Sequence, residues 1–200
     1  STGLVAEDPA NIHEMSQLLY REARGHIDLE NFYVATYDEP TDTVHFEFIV
    51  EDGNLIEERE GMWAPRHRGN GLTEWVIRHR ERLYIPSDVD AWRKTHGVID
   101  GLPTHRQWDP LLDSTVGVSA SSWLGIPIVA GGDMLGVMGI YHYTKEQAYD
   151  EVDQDLLSTI AAQLGTAIVR RRLQRSLERE PLARLGELSG TLVHSINSTL

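Results

Sequence analysis

Two apolar segments, residues 123–129 and 134–141, flank the turn sequence Ala130-Gly131-Gly132-Asp133 and constrain the fold of this chain more than any other feature. A Gly-Gly pair supplies the positive φ angles that a two-residue primed turn requires, so the two segments predict a buried β-hairpin. Because a hairpin with two apolar strands cannot stand alone in water, further strands or helices must cover it. We therefore expect a sheet-based domain organised around these residues.

The turn also predicts which residues face each other across the hairpin. One face should hold the aliphatic pairs Ile128–Leu135, Ile126–Val137 and Leu124–Gly139. The opposite face should hold the pairs Pro127–Gly136, Gly125–Met138 and Trp123–Ile140. Since that second face places small residues beside large ones, it admits either a closely packed helix or a ligand.

Composition excludes several classes of function. The chain has 200 residues and a net charge of −13, which repels the phosphate backbone of nucleic acids. One group of basic residues lies on what reads as a continuous helix, where a solvated face is the simpler interpretation: Arg170, Arg171, Arg172 and Arg175. No apolar segment approaches the ~20 residues needed to cross a bilayer, and no secretory signal is visible, so we expect a cytoplasmic protein without a membrane segment.

The remaining periodicities predict a helix from Asp8-Pro9 and a second hairpin over residues 31–37 and 43–50. Residues 51–70 read mainly as loop. A short helix, in which Leu72, Trp75, Val76 and His79 repeat at helical spacing, and a short strand at 83–85 should follow. Residues 87–120 show no strong period, and connections this long inside a domain tend to be lids or mobile segments.

The C-terminal part of the sequence predicts a long helix that starts near Asp150 and is interrupted or restarted at Pro181. Beyond the proline, apolar residues follow a heptad seam, which is typical of helices that pack against a partner helix. In that register His194 occupies the f position and should face solvent. Because the sequence stops within this helix at Leu200, we expect the chain to be a fragment of a longer protein.

Four sequence blocks resemble the successive blocks of GAF domains in bacterial signalling proteins: NFYVATYD at 31–38, GLTEWVI at 71–77, SWLGIPI at 122–128 and YDEVD at 149–153. The resemblance spans residues 8–172. It implies an α+β, GAF/PAS-like fold with a central antiparallel sheet. The N- and C-terminal helices would cover one face, and a lid with a small-molecule pocket would cover the other. It implies a sensory domain rather than a catalytic one.

A second resemblance covers residues 173–200, a coiled-coil linker followed by LGELSGTLVHSIN at 185–197. These residues are similar to the opening of the dimerisation helix of sensor histidine kinases, in which a histidine accepts a phosphoryl group from ATP. The resemblance implies that His194 is the phosphoacceptor, that the chain dimerises through this helix, and that a response regulator takes the phosphoryl group. The family usually has an acidic residue and a proline where this chain has Ser195 and Thr199.

If the GAF-like part has a pocket, aromatic and sulfur-containing residues of the lid side should line it, with two polar residues of the second hairpin in contact with the ligand. The candidates are Trp63, Trp108 and Met138 for the lining and His45 or Glu47 for the polar contacts. The alternative is that these residues complete the core. His45 and Glu47 could act as an acid–base pair only if both faced the pocket.

The chain contains no cysteine, which excludes disulfides, thiolate metal sites and a covalently attached bilin, as well as the methionine sulfoxide reduction of some GAF proteins. Haem is not expected, although His96, His105 and His142 leave axial ligation open. The cyclic-nucleotide signature of GAF domains is only partly present. Two other functions therefore remain: a ligand-free GAF dimerisation module, and a GAF regulator of a cyclic-nucleotide enzyme.

Overall fold

The computed structural model describes residues 9–58, 63–98 and 119–197. The described helices are α1 (Pro9–Ala23), α2 (Leu72–His79), α3 (Val89–Thr95) and α4 (Glu151–Asn197). The described strands are β1 (Asn31–Asp38), β2 (Thr43–Glu51), β3 (Asn54–Leu55), β4 (Arg66–His67), β5 (Leu83–Ile85), β6 (Ser122–Ala130) and β7 (Asp133–His142). They form one antiparallel sheet in the order β3-β2-β1-β7-β6-β5, and β4 pairs with β2.

The predicted central hairpin is confirmed as β6 and β7, and Gly131 and Gly132 take φ angles of 61° and 88° at its turn. The predicted register is wrong beyond the first two pairs. Val129 pairs with Met134 but Ile128 pairs with Gly136, so Leu135 is an extra residue in a β-bulge. Each later partner is consequently shifted by one residue.

One face of the sheet, here called the terminal-helix face, packs against α1 and the first turns of α4. From α1, the Tyr20 ring lies 5.7 Å from the Phe32 ring and 5.6 Å from the Phe48 ring. A Cβ atom added to Gly165 of α4 would lie 3.3 Å from Ile128 Cγ2, so this helix approaches β6 closely. The placement of both terminal helices on one face confirms the predicted fold.

The other face, here called the α2/α3 face, carries a second core contributed by the sheet, α2 and α3. Its members include residues of β1, β2, β6 and β7: Tyr33, Ala35, Phe46, Ile49, Trp123, Val137 and Tyr141. Of the residues whose spacing predicts α2, Val76 is buried, Leu72 and Trp75 are partly buried against this core, and His79 is exposed. The helix also buries Thr73, Glu74 and Ile77, so the i, i+3, i+4 set that begins at Thr73 faces the sheet most directly.

Two short elements fall where the sequence shows no period. In α3, Asp88 is the N-cap and its side chain accepts a hydrogen bond from the backbone N–H of Ala91 at 3.0 Å. The two-residue strands β3 and β4 lie in the stretch read as loop, because each needs β2 as a template rather than a pattern of its own. Of the predicted lid, residues 99–118 lie outside the described part of the chain.

The N-terminus of α4 is capped by two aspartates that bond to each other's backbone. Asp150 N–H donates to Asp153 Oδ2 at 3.1 Å, and Asp153 N–H donates to Asp150 Oδ1 at 2.9 Å, which is a reciprocal capping box. The helix is continuous through Pro181, contrary to the predicted interruption, because helical turns on both sides bridge the missing N–H. The chain divides into two compact units, Ser1–Gly165 and Thr166–Leu200.

Candidate functional site

Of the predicted pocket residues, Trp63 is the one that the structure places on the α2/α3 face. Its ring lies 5.7 Å from the Tyr33 ring and 5.2 Å from the Phe46 ring, and all three side chains are buried. Tyr33 and Phe46 also meet edge to face at 5.5 Å. These three rings form a continuous aromatic surface above β1 and β2.

The polar residues predicted for the pocket lie on the opposite side of the sheet. Glu47 Oε1 accepts a hydrogen bond from Thr36 Oγ1 at 2.7 Å, and its backbone carbonyl lies 2.9 Å from Nδ1 of His13 in α1. His45 pairs in register with Thr36 and is half-buried. Because both side chains lie on the same face of the sheet as Thr36 and α1, neither is placed to contact a ligand on the α2/α3 face.

Met138 also leaves the predicted face, as a direct result of the bulge at Leu135. It pairs with Ile126 on one side and Val34 on the other, and the alternation of β7 places it among the residues that α1 and α4 cover. Trp108 and His105 lie outside the described residues. The backbone of His194 belongs to α4, and its side chain is outside the described part.

The structure instead brings a partly buried ion pair to the aromatic surface. Arg66 of β4 donates from Nε to Oε1 of Glu74 on α2 at 2.7 Å, and its guanidinium carbon lies 4.9 Å from the centre of the Phe46 ring. Glu74 is 1% exposed. We call Glu74, Arg66 and the rings of Tyr33, Phe46 and Trp63 the Glu74 site.

One atom of the Glu74 site lacks a hydrogen bond. Glu74 Oε2 is buried and has no hydrogen-bond partner among the described residues. A buried carboxylate oxygen without a donor loses the hydration it has in the unfolded chain and gains nothing in return, at a cost of about 1–3 kcal/mol. The Glu74 site therefore contains a buried acceptor atom for which the described residues supply no hydrogen-bond donor.

A buried pair of hydroxyls stands beside the carboxylate. The hydroxyl of Tyr33 lies 2.8 Å from Oγ1 of Thr73, and either oxygen can be the donor. Burial raises the pKa of Tyr33, the hydrogen bond with Thr73 opposes that rise, and the charge of Glu74 adds to it. The phenol consequently remains protonated at any physiological pH.

Two glycines of the central hairpin leave space for aromatic rings on the α2/α3 face. The sequence had left open whether small residues on this face admit a helix or a ligand. A Cβ atom on Gly139 would lie 2.2 Å from the Tyr33 ring, and one on Gly125 would lie 2.2 Å from the Trp123 ring. Gly125 and Gly139 pair directly across the hairpin. The domain's own rings occupy the space above these glycines, together with Val76 of α2, whose Cγ2 would lie 2.9 Å from a Cβ atom on Gly125.

A second cluster of polar groups joins the loop before β1 to the loop after β7. The Nε2 atom of His142 lies 3.7 Å from Asp28 Oδ2 and 3.4 Å from Glu30 Oε2, and Lys145 Nζ lies 2.6 Å from Asp28 Oδ2. Asp28, Glu30 and His142 are close enough together to hold a metal ion. The hydrogen bonds of the ring argue against that role.

His142 Nδ1 accepts the backbone N–H groups of Thr144 at 3.1 Å and Lys145 at 3.0 Å. With that lone pair committed, the ring proton of the neutral imidazole resides on Nε2, which then has no lone pair for a metal. This Nε2 atom is buried and makes no hydrogen bond to the described residues. Asp28 Oδ2 is already paired with the Lys145 ammonium. The cluster is better described as a set of polar contacts that links the two loops than as a metal centre.

His96, the other described histidine considered for haem, is held against the domain's own surface. Its ring stacks on Trp92 at 3.9 Å, and Nδ1 lies 2.7 Å from the Trp92 carbonyl oxygen four residues earlier. His79 repeats the arrangement on Trp75, with the same 3.9 Å stacking distance. These exposed rings extend the surface of α2 and α3 and do not point into the Glu74 site.

Glu74 and Arg66 were not predicted as site residues. The available signal was the i, i+3, i+4 spacing of Thr73, Val76 and Ile77, which turns that face of α2 inward and takes the adjacent Glu74 with it. Nothing comparable marks Arg66, because the two-residue strand that carries it has no sequence pattern.

This arrangement of sheet, helices and aromatic face has a counterpart among known families. The family model of the GAF domain matches residues 9–169. The chain belongs to the GAF domain family. No curated protein matches the chain significantly.

Solved structures with the same fold come from several kinds of signalling protein. A methyl-accepting chemotaxis protein, residues 122 to 287, is 19% identical with a TM-score of 0.63, covering 82% of this chain and 92% of that one. The GAF-B domain of DevS from Mycobacterium smegmatis is 15% identical with a TM-score of 0.56, covering 85% and 99%. A domain of a proposed two-component sensor histidine kinase from Sinorhizobium meliloti 1021 is 15% identical with a TM-score of 0.51, covering 84% and 97%.

At these identities the neighbours support the fold alone. The family match identifies the chain as a GAF sensory or regulatory domain. Among the described residues, no helix combines the length and the apolar character that crossing a membrane requires.

Proposed function

We propose that this GAF domain is the sensory domain of a cytoplasmic two-component histidine kinase and that α4 relays its state to His194 as phosphoacceptor. The observation that carries the proposal is the continuity of α4, which runs unbroken from Glu151 to Asn197. Its first turns pack on the sheet through residues such as Leu157 and Leu164, both buried. A change in the sheet thus has a covalent and helical route to His194.

The described surface of the second unit supports a dimer through this helix. Leu173 and Leu177 are 61% and 70% exposed, and they lie four residues apart, which places them on one side of the helix. Exposed leucines at this spacing are typical of a helix that pairs with a second copy. A parallel homodimer would bring two His194 residues to the same level.

The chemistry at His194 would be phosphoryl transfer in two steps. The neutral imidazole attacks the γ-phosphorus of ATP held by a separate domain, an N–P bond forms, and the P–O bond to ADP breaks. The phosphoryl group then passes to an aspartate of a response regulator. Ser195 stands where kinases of this type usually carry an acidic residue, so we expect slow phosphorylation in this chain.

The test uses the full-length protein with its native downstream domains. Incubation with radiolabelled ATP should give an acid-labile phosphoprotein, and His194→Gln should abolish the label. His96→Gln, which changes an exposed histidine of α3's end, is the matched control and should label normally. Equal labelling of the His194→Gln variant and the wild type would remove this residue from the mechanism.

A further inference from the structure

The two compact units of the chain differ in the sign of their charge. Residues 1–165 contain 28 aspartates and glutamates against 12 lysines and arginines, whereas residues 166–200 contain three against six. Four of those six basic residues lie within six positions of α4, at 170, 171, 172 and 175. We call residues 170–175 the arginine segment. It is a local concentration of positive charge in a chain whose net charge is −13.

The arginine segment overlaps the leucines that support the proposed dimer. Arg170, Arg171 and Arg172 are exposed, as are Leu173 and Leu177. Arg170 precedes Leu173 by three residues and Leu177 by seven, so at about 100° per residue all three lie on one side of α4. A second helix that covers the two leucines therefore also approaches Arg170.

A parallel dimer through this side of α4 brings arginine against arginine. Equivalent positions of two parallel helices face each other across the seam, so the two Arg170 residues meet about one turn before the Leu173 pair. Like charges placed together at an interface weaken association. Because an arginine side chain keeps its proton at physiological pH, only a counter-charge can relieve the repulsion. The dimer thus favours an anion at the level of the arginine segment.

The size and surroundings of the segment determine which anion fits. Each guanidinium presents N–H donors in a planar fork that matches two oxygens of a phosphate group. The segment spans about 8 Å of helix, so linked phosphate groups can reach several arginines of both copies at once. A nucleic acid or an anionic membrane would in addition meet the acidic first unit, which ends at Gly165, five residues before Arg170. A compact anion avoids most of that repulsion because solvent ions screen it over a short distance.

We propose that the arginine segments of two parallel α4 helices form a binding site for a compact multivalent phosphate, and that occupancy of this site stabilises the dimer. Guanidinium groups of Arg170, Arg171 and Arg172 from both copies donate to the phosphate oxygens. This inference rests on the dimer of the proposed function and names a ligand that regulates it. Arg170 couples anion binding to dimerisation most directly, because it shares one side of the helix with the leucines.

The first experiment measures the monomer–dimer equilibrium of the complete chain by sedimentation velocity, in low-salt buffer without divalent cations. Inorganic tripolyphosphate at about ten times its dissociation constant should lower the dimer dissociation constant about tenfold, as expected for one anion bound only by the dimer. Orthophosphate and sodium chloride at the same ionic strength should have much smaller effects, because neither bridges several arginines. An equal effect of either salt would reduce the response to screening and overturn the proposal.

A flotation assay separates a phosphate site from a membrane surface. Vesicles of phosphatidylcholine and phosphatidylserine should retain little of the chain, because the acidic first unit is repelled by the anionic lipid. Vesicles of phosphatidylcholine alone are the control. Retention by the anionic vesicles that tripolyphosphate does not reverse would assign the arginine segment to a membrane and overturn the proposal.

Variants then locate the site. The double change Arg170→Gln and Arg171→Gln removes the repulsion as well as the donors, so the dimer should be tighter than wild type without anion and should not respond to tripolyphosphate. Arginine-to-lysine changes at the same two positions keep the charge without the planar fork and should give a weaker response. The matched control is Arg21→Gln with Arg24→Gln, two exposed arginines of α1, which should respond like the wild type. A full response in the 170/171 glutamine variant would contradict the site.

The two proposals fail separately. Labelling of His194 is measured in the full-length protein and needs no tripolyphosphate. A dimer that ignores tripolyphosphate would refute the anion site alone. A dimer that responds to tripolyphosphate, in a protein whose His194 is not labelled, would refute the kinase assignment alone. A chain that stays monomeric in every buffer would refute the dimer and the anion site together.

Discussion

Both faces of the sheet are covered by helices, but the two faces bury different kinds of side chain. The terminal-helix face buries aromatic rings and aliphatic side chains. In the described part of α1, the buried polar atom without a hydrogen-bond partner is the neutral hydroxyl of Ser16. The α2/α3 face buries rings as well, but it also holds the Arg66–Glu74 ion pair with an unpaired charged oxygen. An orphaned carboxylate oxygen costs more than an orphaned hydroxyl because charge is harder to remove from water. Packing for stability accounts for the residues of the terminal-helix face. It does not account for the unpaired charged oxygen on the α2/α3 face.

The largest effect should come from removing a ring on the terminal-helix face. Phe48 is 1% exposed and its ring contacts those of His13, Tyr20 and Phe32. Phe48→Ala leaves a cavity beneath α1 and should lower the free energy of unfolding by about 3–5 kcal/mol. Urea denaturation followed by circular dichroism measures the change. Leu18→Ala, an exposed position on α1, is the control, and a similar loss in both variants would show that this face is not the main source of stability.

The next largest effect should come from Gly136 of β7, which pairs with Thr36 of β1 and lies against the β1 backbone. A Cβ atom there would lie 2.1 Å from the carbonyl oxygen of Ala35, so Gly136→Ala forces two backbones apart. We expect a loss of about 3 kcal/mol in unfolding free energy. Gly25→Ala is the matched control, since its added Cβ would come no closer than 4.0 Å to Glu22 O. Equal stability of the two variants would contradict the close approach.

The hairpin around Gly131 shows which features of the fold can be predicted from sequence patterns and which cannot. Turn chemistry located it correctly, because two consecutive glycines between apolar segments have few other uses. The bulge at Leu135 was not predictable, since it depends on Gly136 fitting against the backbone of β1, a contact between residues distant in sequence. One extra residue was enough to move Met138 to the other face.

The candidate site was harder to predict than the fold for the same reason. Trp63 lies on the α2/α3 face, because a large aromatic residue in a loop beside a sheet tends to be buried; its predicted role in a pocket stays a prediction. Glu74 and Arg66 belong to different elements, and their pairing exists only once β4 is laid on β2 and α2 on the sheet. Periodicity reports which face of an element is buried, and it carries no information about which polar groups meet there.

Stability measurements on Glu74→Leu sharpen the comparison of the faces. If the Arg66–Glu74 pair contributes little to stability, replacing Glu74 by an apolar side chain of similar size should change the unfolding free energy by less than about 1 kcal/mol, because the orphaned oxygen disappears. Arg66 is left behind, but its side chain is 27% exposed and can be hydrated. Urea denaturation without ligand is the measurement, with Glu47→Leu as the matched variant of the other face. A loss above about 2 kcal/mol at Glu74 would make it a structural residue.

The smallest effect concerns a carboxylate that is exposed and fully paired, in contrast to Glu74. The hydrogen bond with Lys145 lowers the pKa of Asp28, burial opposes this, and the Lys145 charge adds to the lowering. A lowered pKa means that the stabilisation is present above the unfolded value of about 4 and disappears as the pH falls through the folded value. Asp28 also raises the pKa of Lys145, so the pair loses its effect again in strongly alkaline solution. Wild type should therefore be slightly more stable than Asp28→Asn at pH 7 in low salt, and the difference should shrink as the pH falls below about 4. A difference in unfolding free energy that stays constant from pH 7 into strongly acidic solution would show that Asp28 acts through its shape rather than its charge.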